Sequence, residues 1–365
     1  MSEFERLDAL VSELAQSVMP APVGLPSPGI GLTGCGAISE MHLGAYKRLG
    51  LDVRALCSRT LSKATDRARE FYPHAAVFES QAEMLQQASI EIVDITTHPE
   101  GRADLVREAL NAGKHVLSQK PFALSLDEGL SLVEFAEGRS LSLCVNQNGR
   151  WAPHLAAIRE ATRGGHIGDV REVEIEVAWD HSWTVGTPFD RTPHLVLFDF
   201  GIHWFDFVAS LLGGDAIEAV SASATFSDAQ VSPQPMRAAV SMTGPQVKVS
   251  ISFNGDESED PRDVTTVRGT RGSIFSRGPD LEDQELVLRT GGGEHKVPIR
   301  GRWFTTGFEG TMSDLIGSAR GQVSPVNTAR ENLVSLQLAF AACHSANLGR
   351  TVQVKDVSSF PRPFS

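Results

Sequence analysis

Two stretches of the sequence place polar side chains where they could do acid–base chemistry. Asp199 and His203 are four residues apart in the aromatic-rich segment FDFGIHWFDF, so on one α-helix their side chains would lie one above the other. A histidine that is oriented by a carboxylate can take a hydroxyl proton near neutral pH. Lys120 follows the apolar stretch HVLSQ and precedes Pro121, which restricts the backbone after it. These residues together predict chemistry at a hydroxyl group.

Each of these features also has a purely structural explanation. Asp199 could cap a helix while His203 is a hydrogen-bonded core residue, and a lysine beside a turn is usually solvated. The aspartate and the histidine could also hold a metal ion, but no third or fourth ligand at a recognisable spacing accompanies them, so no metal site is predicted. The elements that carry these residues decide between the interpretations.

The composition of the chain excludes several other classes of function. The chain has 365 residues, of which 41% are hydrophobic and 21% charged, as is typical of a globular protein with room for two domains. Its formal net charge of −12 argues against binding nucleic acid or an anionic membrane, because phosphates require a basic surface. The four cysteines have no paired spacing, and no signal peptide or membrane span is recognisable. A cytoplasmic protein with reduced thiols is therefore predicted.

Short apolar stretches alternate with helical ones over residues 29–150, beginning with GIGLTG and DVRALC. This alternation predicts an α/β domain with a parallel sheet that helices cover on both faces. Beyond residue 150, segments such as VREVEIEVAW and VKVSISF alternate apolar and polar residues with period two. They predict an α+β domain with an open, mostly antiparallel sheet flanked by helices. The chain is thus divided into an amphipathic arm (1–28), a nucleotide-binding domain (29–150) and a second domain for substrate and oligomer contacts (151–365).

A glycine-rich turn follows the first predicted strand. In TGCGAIS, the first glycine permits a tight turn, the second lets a pyrophosphate approach the backbone, and the next helix supplies amide donors. A serine replaces the third glycine, and a small residue suffices there for helix–strand packing. At this strand–helix junction the motif predicts a dinucleotide-binding Rossmann turn. The residues expected to contact the cofactor here are Gly34, Cys35, Gly36, Ala37 and Ile38.

The end of the second predicted strand bears on the identity of the cofactor. NAD sites carry an acidic residue about 20 residues after the glycine turn, where it binds the adenosine ribose. Ser58 and Arg59 occupy that place here, and no carboxylate does. A hydroxyl together with a guanidinium suits the extra phosphate of NADP, since arginine binds phosphate through two hydrogen bonds. The pattern favours NADP, although a solvated Arg59 would also permit NAD.

Two later strands end in polar residues at the same predicted edge of the sheet. Right-handed crossovers bring the carboxyl ends of parallel strands to one edge, where ligands bind in α/β proteins. The segments VDITTHP and KHVLSQKP contain such strand ends. The lysine in the second segment is then expected to point toward the substrate end of the cofactor. The residues expected to border the cofactor at these two ends are Thr96, Thr97, His98, Pro99, Gln119 and Lys120.

Six motifs in combination resemble those of the Gfo/Idh/MocA oxidoreductase family, which includes inositol and glucose dehydrogenases and glucose–fructose oxidoreductase. Their order and spacing cover the chain from Gly29 to about Val354. The family usually has glutamate where Gln119 stands, proline where His98 stands and a common histidine where Arg102 stands, so the chain departs from the pattern at three positions. The motifs are GCGAISEMHLGAY, VDITTHP, GKHVLSQKP, NQNGRW, GHIGDV and DFGIHWFD.

The resemblance implies an NAD(P)-dependent oxidoreductase that transfers a hydride between a nicotinamide and a sugar, polyol or related cyclic alcohol bound between the domains. His203 would take the hydroxyl proton, and Lys120 would stabilise the developing oxyanion or belong to the proton relay. Asp199 would orient the imidazole or hold a neighbouring hydroxyl. Arg150 and Trp151 are candidate contacts of the substrate or cofactor, with a surface ion pair as the alternative for Arg150. A homodimer or homotetramer, often formed through the open sheet, is also implied.

Two other functions stay open from the sequence. Some relatives keep NAD(H) bound and oxidise and re-reduce one sugar, which gives glycoside cleavage or elimination without net redox change. A non-catalytic ligand-binding protein of the same fold would be supported by loss of the lysine or the histidine, whereas Lys120, Asp199 and His203 are all present. The loop with His181 and Trp183 is expected to shape specificity or to lie in an interface, and the fold alone does not identify a substrate.

Overall fold

The computed structural model describes Leu14, Gly24 and residues 26–228 and 230–361. The amphipathic arm predicted over residues 1–28 lies almost wholly outside the described residues, so its packing stays a prediction. In the described part of the chain, no helix is both long and apolar enough to cross a membrane.

The fold consists of two compact units. The first unit contains the described residues from Gly24 to Trp151 and, in addition, Phe304–Leu333. The second unit contains Ala152–Trp303 and the described residues from Val334 onward. The segment Phe304–Leu333, from the C-terminal part of the chain, thus belongs to the same compact unit as the described residues from Gly24 to Trp151.

A six-stranded parallel sheet forms the centre of the first unit. Its strands are β1 Gly29–Thr33, β2 Asp52–Cys57, β3 Ala76–Phe78, β4 Ile92–Ile95, β5 His115–Gln119 and β6 Leu143–Asn146. The connecting helices are α1 Ser39–Arg48, α2 Leu61–Phe71, α3 Gln81–Leu85, α4 Arg102–Asn111 and α5 Leu126–Glu137. The strand order is β3-β2-β1-β4-β5-β6 and all neighbouring pairs are parallel, which confirms the predicted Rossmann fold. Strands β1, β4 and β6 are buried along their whole length, which explains their continuous apolar sequences.

A nine-stranded sheet forms the centre of the second unit. Its strands are β7 Val170–Ala178, β8 Ala219–Thr225, β9 Arg237–Thr243, β10 Lys248–Asn254, β11 Arg262–Gly269, β12 Gly272–Gly278, β13 Glu285–Thr290, β14 Gly293–Val297 and β15 Val352–Gln353. The order is β14-β13-β12-β11-β7-β10-β9-β8-β15. Strands β7 and β10 pair in parallel and the other neighbours pair antiparallel, so the predicted open, mostly antiparallel sheet is confirmed. The helices of this half of the chain are α6 Pro153–Arg163, α7 Ile202–Leu212, α8 Trp303–Ala319 and α9 Ala329–Leu348.

Helix α8 completes the core of the first unit. Its residues Phe308, Met312, Leu315 and Ile316 recur at helical spacing, so they lie on one face of the helix. They belong to the same buried cluster as Ile30 of β1. Burying a large apolar side chain stabilises a fold by about 1.5 to 3 kcal/mol, so this helix is an integral part of the nucleotide-binding unit.

The exposed face of the nine-stranded sheet carries ion pairs. Along β9 and β10 the residues alternate between buried and exposed, as a half-exposed strand requires. Arg268 on β11 pairs with Glu172 and Glu174 on β7 at 2.9 and 2.5 Å, and Arg262 pairs with Glu176 at 2.8 Å. Such exposed pairs contribute little to stability one by one, but here they offset repulsion along a row of three glutamates. The alternating glutamates of the sequence are therefore outward-facing residues with cross-strand partners.

Asp263 is a buried carboxyl of the second unit that makes folding stability depend on pH. It lies on β11, it is 0% exposed, and neither carboxyl oxygen has a hydrogen-bond partner among the described residues. Burial, and after it the charge of Asp280, raise the pKa of Asp263 from 3.8 to about 7. Between these values the folded protein holds a proton that the unfolded chain has lost. The free energy of unfolding therefore falls as the pH rises through this window.

Replacing Asp263 with asparagine should remove this pH dependence. Between about pH 5 and pH 8, Asp263→Asn should gain about 2 to 3 kcal/mol in the free energy of unfolding relative to the wild type. Urea titrations at the two pH values measure the difference. Asp215→Asn, which changes an exposed aspartate of the same unit, is the matched control and should follow the wild type. A difference between Asp263→Asn and the wild type that stays constant over this range would refute the assignment.

Candidate active site

Close approach of two strand ends shapes the glycine turn after β1. Gly34 has a φ of +106°, and a Cβ there would lie 3.0 Å from both Thr96 Oγ1 and Thr97 Cγ2, so only glycine fits. At Gly36 a Cβ would meet no atom within 4 Å, so the space beside the turn is open. The ten-residue helix α1 begins at Ser39, directly after the turn, and its first three amides donate to the carbonyls of the turn residues 36–38. Open backbone and a helix N-terminus together fit the pyrophosphate of a dinucleotide.

The other residues of the glycine turn could contact a cofactor through their main chain rather than through reactive side chains. Cys35 is buried, its Sγ donates to Cys57 O at 3.6 Å, and burial raises the pKa of its thiol to about 12. Ala37 and Ile38 lead into α1, and Ala37 O accepts from Glu40 N at 3.2 Å. Any contact of Cys35 with a cofactor would therefore use its peptide group.

Ser58 and Arg59 stand at the end of β2, where the sequence favours NADP. Ser58 N donates to Phe78 O at 3.0 Å, and Ser58 Oγ accepts from Thr60 N at 3.3 Å. Arg59 is exposed and lies just before α2. Its guanidinium is accessible to a ligand at this strand end, and the choice between NAD and NADP stays a prediction.

The end of β4 is tied to the glycine turn. Thr96 Oγ1 donates to Gly34 O, which joins the two predicted cofactor segments directly. Thr97 and Pro99 are half-buried, whereas His98 is exposed. The predicted border of the nicotinamide site thus contains two main-chain segments in contact and one histidine that faces solvent.

Lys120 follows the end of β5, at the same edge of the parallel sheet. The lysine is half-buried, and its peptide bond to Pro121 is cis. The buried guanidinium of Arg102 donates to the main-chain oxygens of Thr97, Gln119 and Pro121. The distance is 3.1 Å from Nε to Thr97 O and 2.6 Å from Nη1 to Gln119 O. One arginine side chain therefore links the end of β4 to the turn that carries the lysine.

A buried polar network lies behind Gln119. His42 Nδ1 is 2.7 Å from Asp94 Oδ2, which also accepts from Tyr46 OH at 2.6 Å. His42 Nε2 is 3.2 Å from both Gln119 Nε2 and Asn146 Nδ2. All five side chains are 5% exposed or less. Hydrogen bonds in such a dry environment hold their members in one arrangement.

Sequence reasoning did not find this network, and it noted Arg102 only as a departure from the family pattern. One signal was present, because Asp94 is a carboxyl inside the buried strand sequence IVDI. A charged residue in a wholly buried strand requires a partner. The identity of that partner, His42 on α1, depends on packing between a helix and a strand and has no local signal.

Arg150 and Trp151 contact the segment Phe304–Leu333, the C-terminal part of the first unit. Arg150 is 5% exposed, and its Nη1 is 2.9 Å from Glu331 Oε2. An ion pair is therefore present, although the arginine is buried rather than at the surface. The ring of Trp151 lies against Gly310 of α8, where a Cβ would come within 2.2 Å of it. Contacts of these two residues with substrate or cofactor stay predictions.

Asp199 and His203 lie in the second unit, and the α-helix of His203 begins later than predicted. A π-helical turn spans Val196–Phe200, and α7 begins at Ile202 rather than at Asp199. Asp199 therefore belongs to the π turn, and the spacing argument for a single α-helix does not hold across it. Asp199 is buried and His203 is half-buried. π turns inside helical segments are frequent at functional sites.

Aromatic rings surround the imidazole of His203. Its ring centroid is 5.6 Å from that of Trp303 and 6.3 Å from that of Trp204, both in nearly perpendicular orientation. Trp303 also lies 5.8 Å from His154, whose pKa burial lowers to about 3. His154 is therefore a neutral core residue at physiological pH. His203 differs from it in keeping partial exposure, which access to a substrate requires.

An aromatic cluster follows β7, where a specificity loop is predicted. His181 stacks on Trp179 at 3.9 Å and lies 4.4 Å from Phe200, which ends the π turn. Trp183, which is 55% exposed, packs against Phe189 and Phe200 at 5.5 and 5.9 Å. Burial lowers the pKa of His181 to about 4, so this ring is neutral at physiological pH. The cluster thus adjoins the helical segment of the predicted acid–base pair and presents one accessible indole.

The first unit places its predicted cofactor residues, including Lys120, at one edge of the parallel sheet. This is the edge at which nucleotide ligands bind in doubly wound folds. Asp199 and His203 belong to the second unit. The catalytic roles of all three residues stay predictions.

Comparison with known proteins agrees with this architecture. Residues 29–147 match the model of the Gfo/Idh/MocA oxidoreductase family, NAD-binding Rossmann fold, and residues 155–275 match the Gfo/Idh/MocA C-terminal domain. D-apiose dehydrogenase of Paraburkholderia graminis is 26% identical over 345 residues, which cover 90% of each chain. Inositol 2-dehydrogenase of Rhizobium meliloti is 24% identical over 73% of this chain and 82% of its own.

A solved structure shows the same fold. Scyllo-inositol dehydrogenase of Lactobacillus casei, with bound NAD(H) and scyllo-inositol, aligns over 90% of this chain and 99% of its own with a TM-score of 0.76 and 19% identity. The two family models together match more than half of the chain, and the strand order of the first unit is that of a Rossmann fold. The protein therefore belongs to the Gfo/Idh/MocA family and is a nicotinamide-dependent oxidoreductase.

Proposed function

We propose that the protein transfers a hydride between NAD(P) and a CH–OH group of a sugar, polyol or related cyclic alcohol. The observation that carries this proposal is the position of Lys120 at the same sheet edge as the glycine turn of Gly34 and Gly36, in a chain of this oxidoreductase family. The names of two relatives, an apiose dehydrogenase and an inositol dehydrogenase, support a polyhydroxylated substrate.

The side chains account for the proton and the charge of the reaction. A bound nicotinamide supplies the acceptor for the hydride of the carbinol carbon, which becomes a carbonyl, and the reverse holds for reduction. The hydroxyl must lose its proton as the hydride leaves, and His203 takes that proton. The ammonium of Lys120 stabilises the negative charge that grows on the same oxygen by a charged hydrogen bond, or it takes part in the proton relay. Asp199, buried in the π turn, orients the imidazole or holds a neighbouring hydroxyl.

For the cofactor we infer a preference for NADP, supported by the exposed guanidinium of Arg59 at the end of β2. Arg59→Ala should weaken NADP binding by about 10- to 100-fold and change NAD binding little, because only NADP carries the additional phosphate. Fluorescence titration with both cofactors measures the two affinities. Arg69→Ala, which removes an exposed arginine near the end of α2, is the matched control. Equal losses for NAD and NADP in Arg59→Ala would assign the arginine a general role instead.

A parallel screen of sugars and polyols with NAD and NADP tests the proposed function. At least one pentose, hexose or cyclitol should reduce one of the cofactors, followed by the absorbance of reduced nicotinamide, with one carbonyl formed for each cofactor reduced. Cofactor binding without turnover of any such substrate would argue against the proposal. Glycoside cleavage by protein that retains NAD(H), without net reduction, would instead support the redox-neutral reaction.

We also infer a homodimer or homotetramer formed through the open face of the nine-stranded sheet. Its support is the width of that face and the small polar side chains on β8, β9 and β10, which allow close approach of a second sheet. Sedimentation velocity over a range of concentrations measures the assembly. A monomer at all concentrations would contradict this inference.

Function in the cytoplasm likewise stays a prediction.

A further inference from the structure

We propose that Arg102 and Gln119 are positioning residues for Lys120. Together they hold the main chain of residues 119–121, here called the lysine turn, on both sides of the reactive side chain. This inference rests on the proposed function, because it concerns the lysine to which that function assigns the oxyanion. It adds two residues to which sequence reasoning gave no such role.

Arg102 holds the turn through its main-chain oxygens. Its guanidinium donates to Gln119 O and Pro121 O, the carbonyls of the residues immediately before and after Lys120. It also donates to Thr97 O at the end of β4. A guanidinium has five N–H donors in a rigid plane, whereas the ammonium of a lysine is a single flexible point. The geometry therefore requires an arginine at this position to reach all three carbonyls.

Gln119 holds the turn through the amide of the lysine. Lys120 N donates to Gln119 Oε1 at 2.7 Å, and Asn146 Nδ2 donates to the same oxygen at 3.3 Å. The oxygen of the Gln119 side chain is therefore on the side of Lys120, and its Nε2 faces His42 Nε2 at 3.2 Å. An amide nitrogen is a donor only, so His42 Nε2 must be the acceptor in this arrangement.

The orientation of the Gln119 side chain determines which nitrogen of His42 carries the proton in the buried network. With Nε2 of His42 as acceptor, the imidazole proton is on Nδ1, which donates to Asp94 Oδ2 at 2.7 Å. Tyr46 OH donates to the same oxygen at 2.6 Å. A glutamate in place of Gln119, as the family pattern usually has, would keep the acceptor for Lys120 N but would present no donor to His42. The glutamine thus offers an acceptor to Lys120 N and a donor to His42 Nε2.

These contacts fix the main chain on both sides of the lysine side chain. The carbonyl of Gln119, the amide of Lys120 and the carbonyl of Pro121 are each held by a buried side chain. Catalysis depends on such placement, since a shift of about 1 Å in a reacting group can cost about 100-fold in rate. Loss of either holding residue should therefore act through Lys120 and lower turnover much more than it lowers cofactor affinity.

A double-mutant cycle tests the role of Arg102. Arg102→Met should lower kcat by about 10- to 100-fold when Lys120 is present, and by less than about 3-fold in the Lys120→Met background, because a positioning residue has no effect once its target is gone. The dissociation constant of the cofactor should change little in either background. Equal losses of kcat in both backgrounds, or a matching loss of cofactor affinity, would overturn the proposal.

A second measurement does not depend on activity. In the free full-length protein, hydrogen exchange of the Lys120 amide should accelerate at least about 10-fold in Gln119→Leu, which lacks the acceptor, and stay protected in Gln119→Glu, which keeps it. Arg159→Met, which removes a buried arginine of the second unit, controls for general loosening and should leave this amide protected. Unchanged protection in Gln119→Leu would refute the role of the glutamine. Normal activity of Lys120→Met with altered exchange in Gln119→Leu would reject the proposed function and leave the geometry intact.

Discussion

Replacing Lys120 with methionine is expected to lower kcat by about 100- to 1,000-fold, the loss typical of removing one preorganised donor to an oxyanion. Methionine keeps the apolar length of the side chain and removes only the charged donor. The substrate oxygen would then develop its negative charge without this hydrogen bond. Affinity for NAD(P) should stay within about 3-fold of the wild type, because the interaction is made mainly in the transition state. Steady-state kinetics and cofactor titration measure the two quantities.

Lys114 provides a matched control for this substitution. It precedes the amino end of the same strand, β5, where its Nζ donates to Ile90 O at 2.7 Å. Lys114→Met removes the same charge beside the same strand, at the opposite edge of the sheet, so it should keep the kcat of the wild type. Turnover in Lys120→Met that equals turnover in Lys114→Met would remove the lysine from the mechanism.

His203→Asn is expected to lower kcat for alcohol oxidation by about 100- to 10,000-fold, because it removes the group that is proposed to take the hydroxyl proton. Asparagine cannot accept a proton near neutral pH, yet it is small enough to fit beside the ring of Trp303. In His203→Gly, added imidazole should restore part of the lost turnover by acting as an external base. Asp199→Asn should cause a smaller loss, since its proposed role is to orient the imidazole or to hold a neighbouring hydroxyl.

His344→Asn is the control for the histidine. His344 is a half-buried histidine of the same unit whose Nε2 is 2.9 Å from Ser359 O, and it has no assigned role in the reaction. Its substitution should leave kcat unchanged. Should His203→Asn oxidise the substrate at the rate of His344→Asn, the proton must leave by another route.

The nucleotide-binding half of the fold could be predicted because its signals are local. A glycine turn requires particular residues at adjacent positions, and Gly34 has the positive φ that this motif implies. Buried parallel strands require continuous apolar residues, so β1 and β2 were recognisable within one residue of their bounds. Helical periodicity is also a local signal, and it predicts helices over residues 61–71 and 126–137, where the structure has α2 and α5.

Other features depended on contacts between residues far apart in sequence. The sequence pattern predicts a helix over residues 309–319, which lies within α8, but its periodicity does not show that Phe308 and Met312 pack in the core of the first unit. The sequence predicts a regular α-helix where the structure has the π turn before α7, because the extra residue of a π turn has no distinct pattern of side chains. The sequence marks Arg102 only as a departure from the family pattern, whereas in the structure it is buried and donates to three carbonyls from two strand ends.

The sequence alone determined two things about this protein. They are the chemical types of the candidate groups and the order of the strands and helices that carry them. Both are properties of neighbouring residues, because side-chain chemistry and strand or helix periodicity act over a few positions. The tertiary structure alone decided which buried side chains hold the lysine turn and which core the late helix completes. Burial and hydrogen bonding bring together residues that are far apart in the sequence, and a local pattern of residues does not identify such partners.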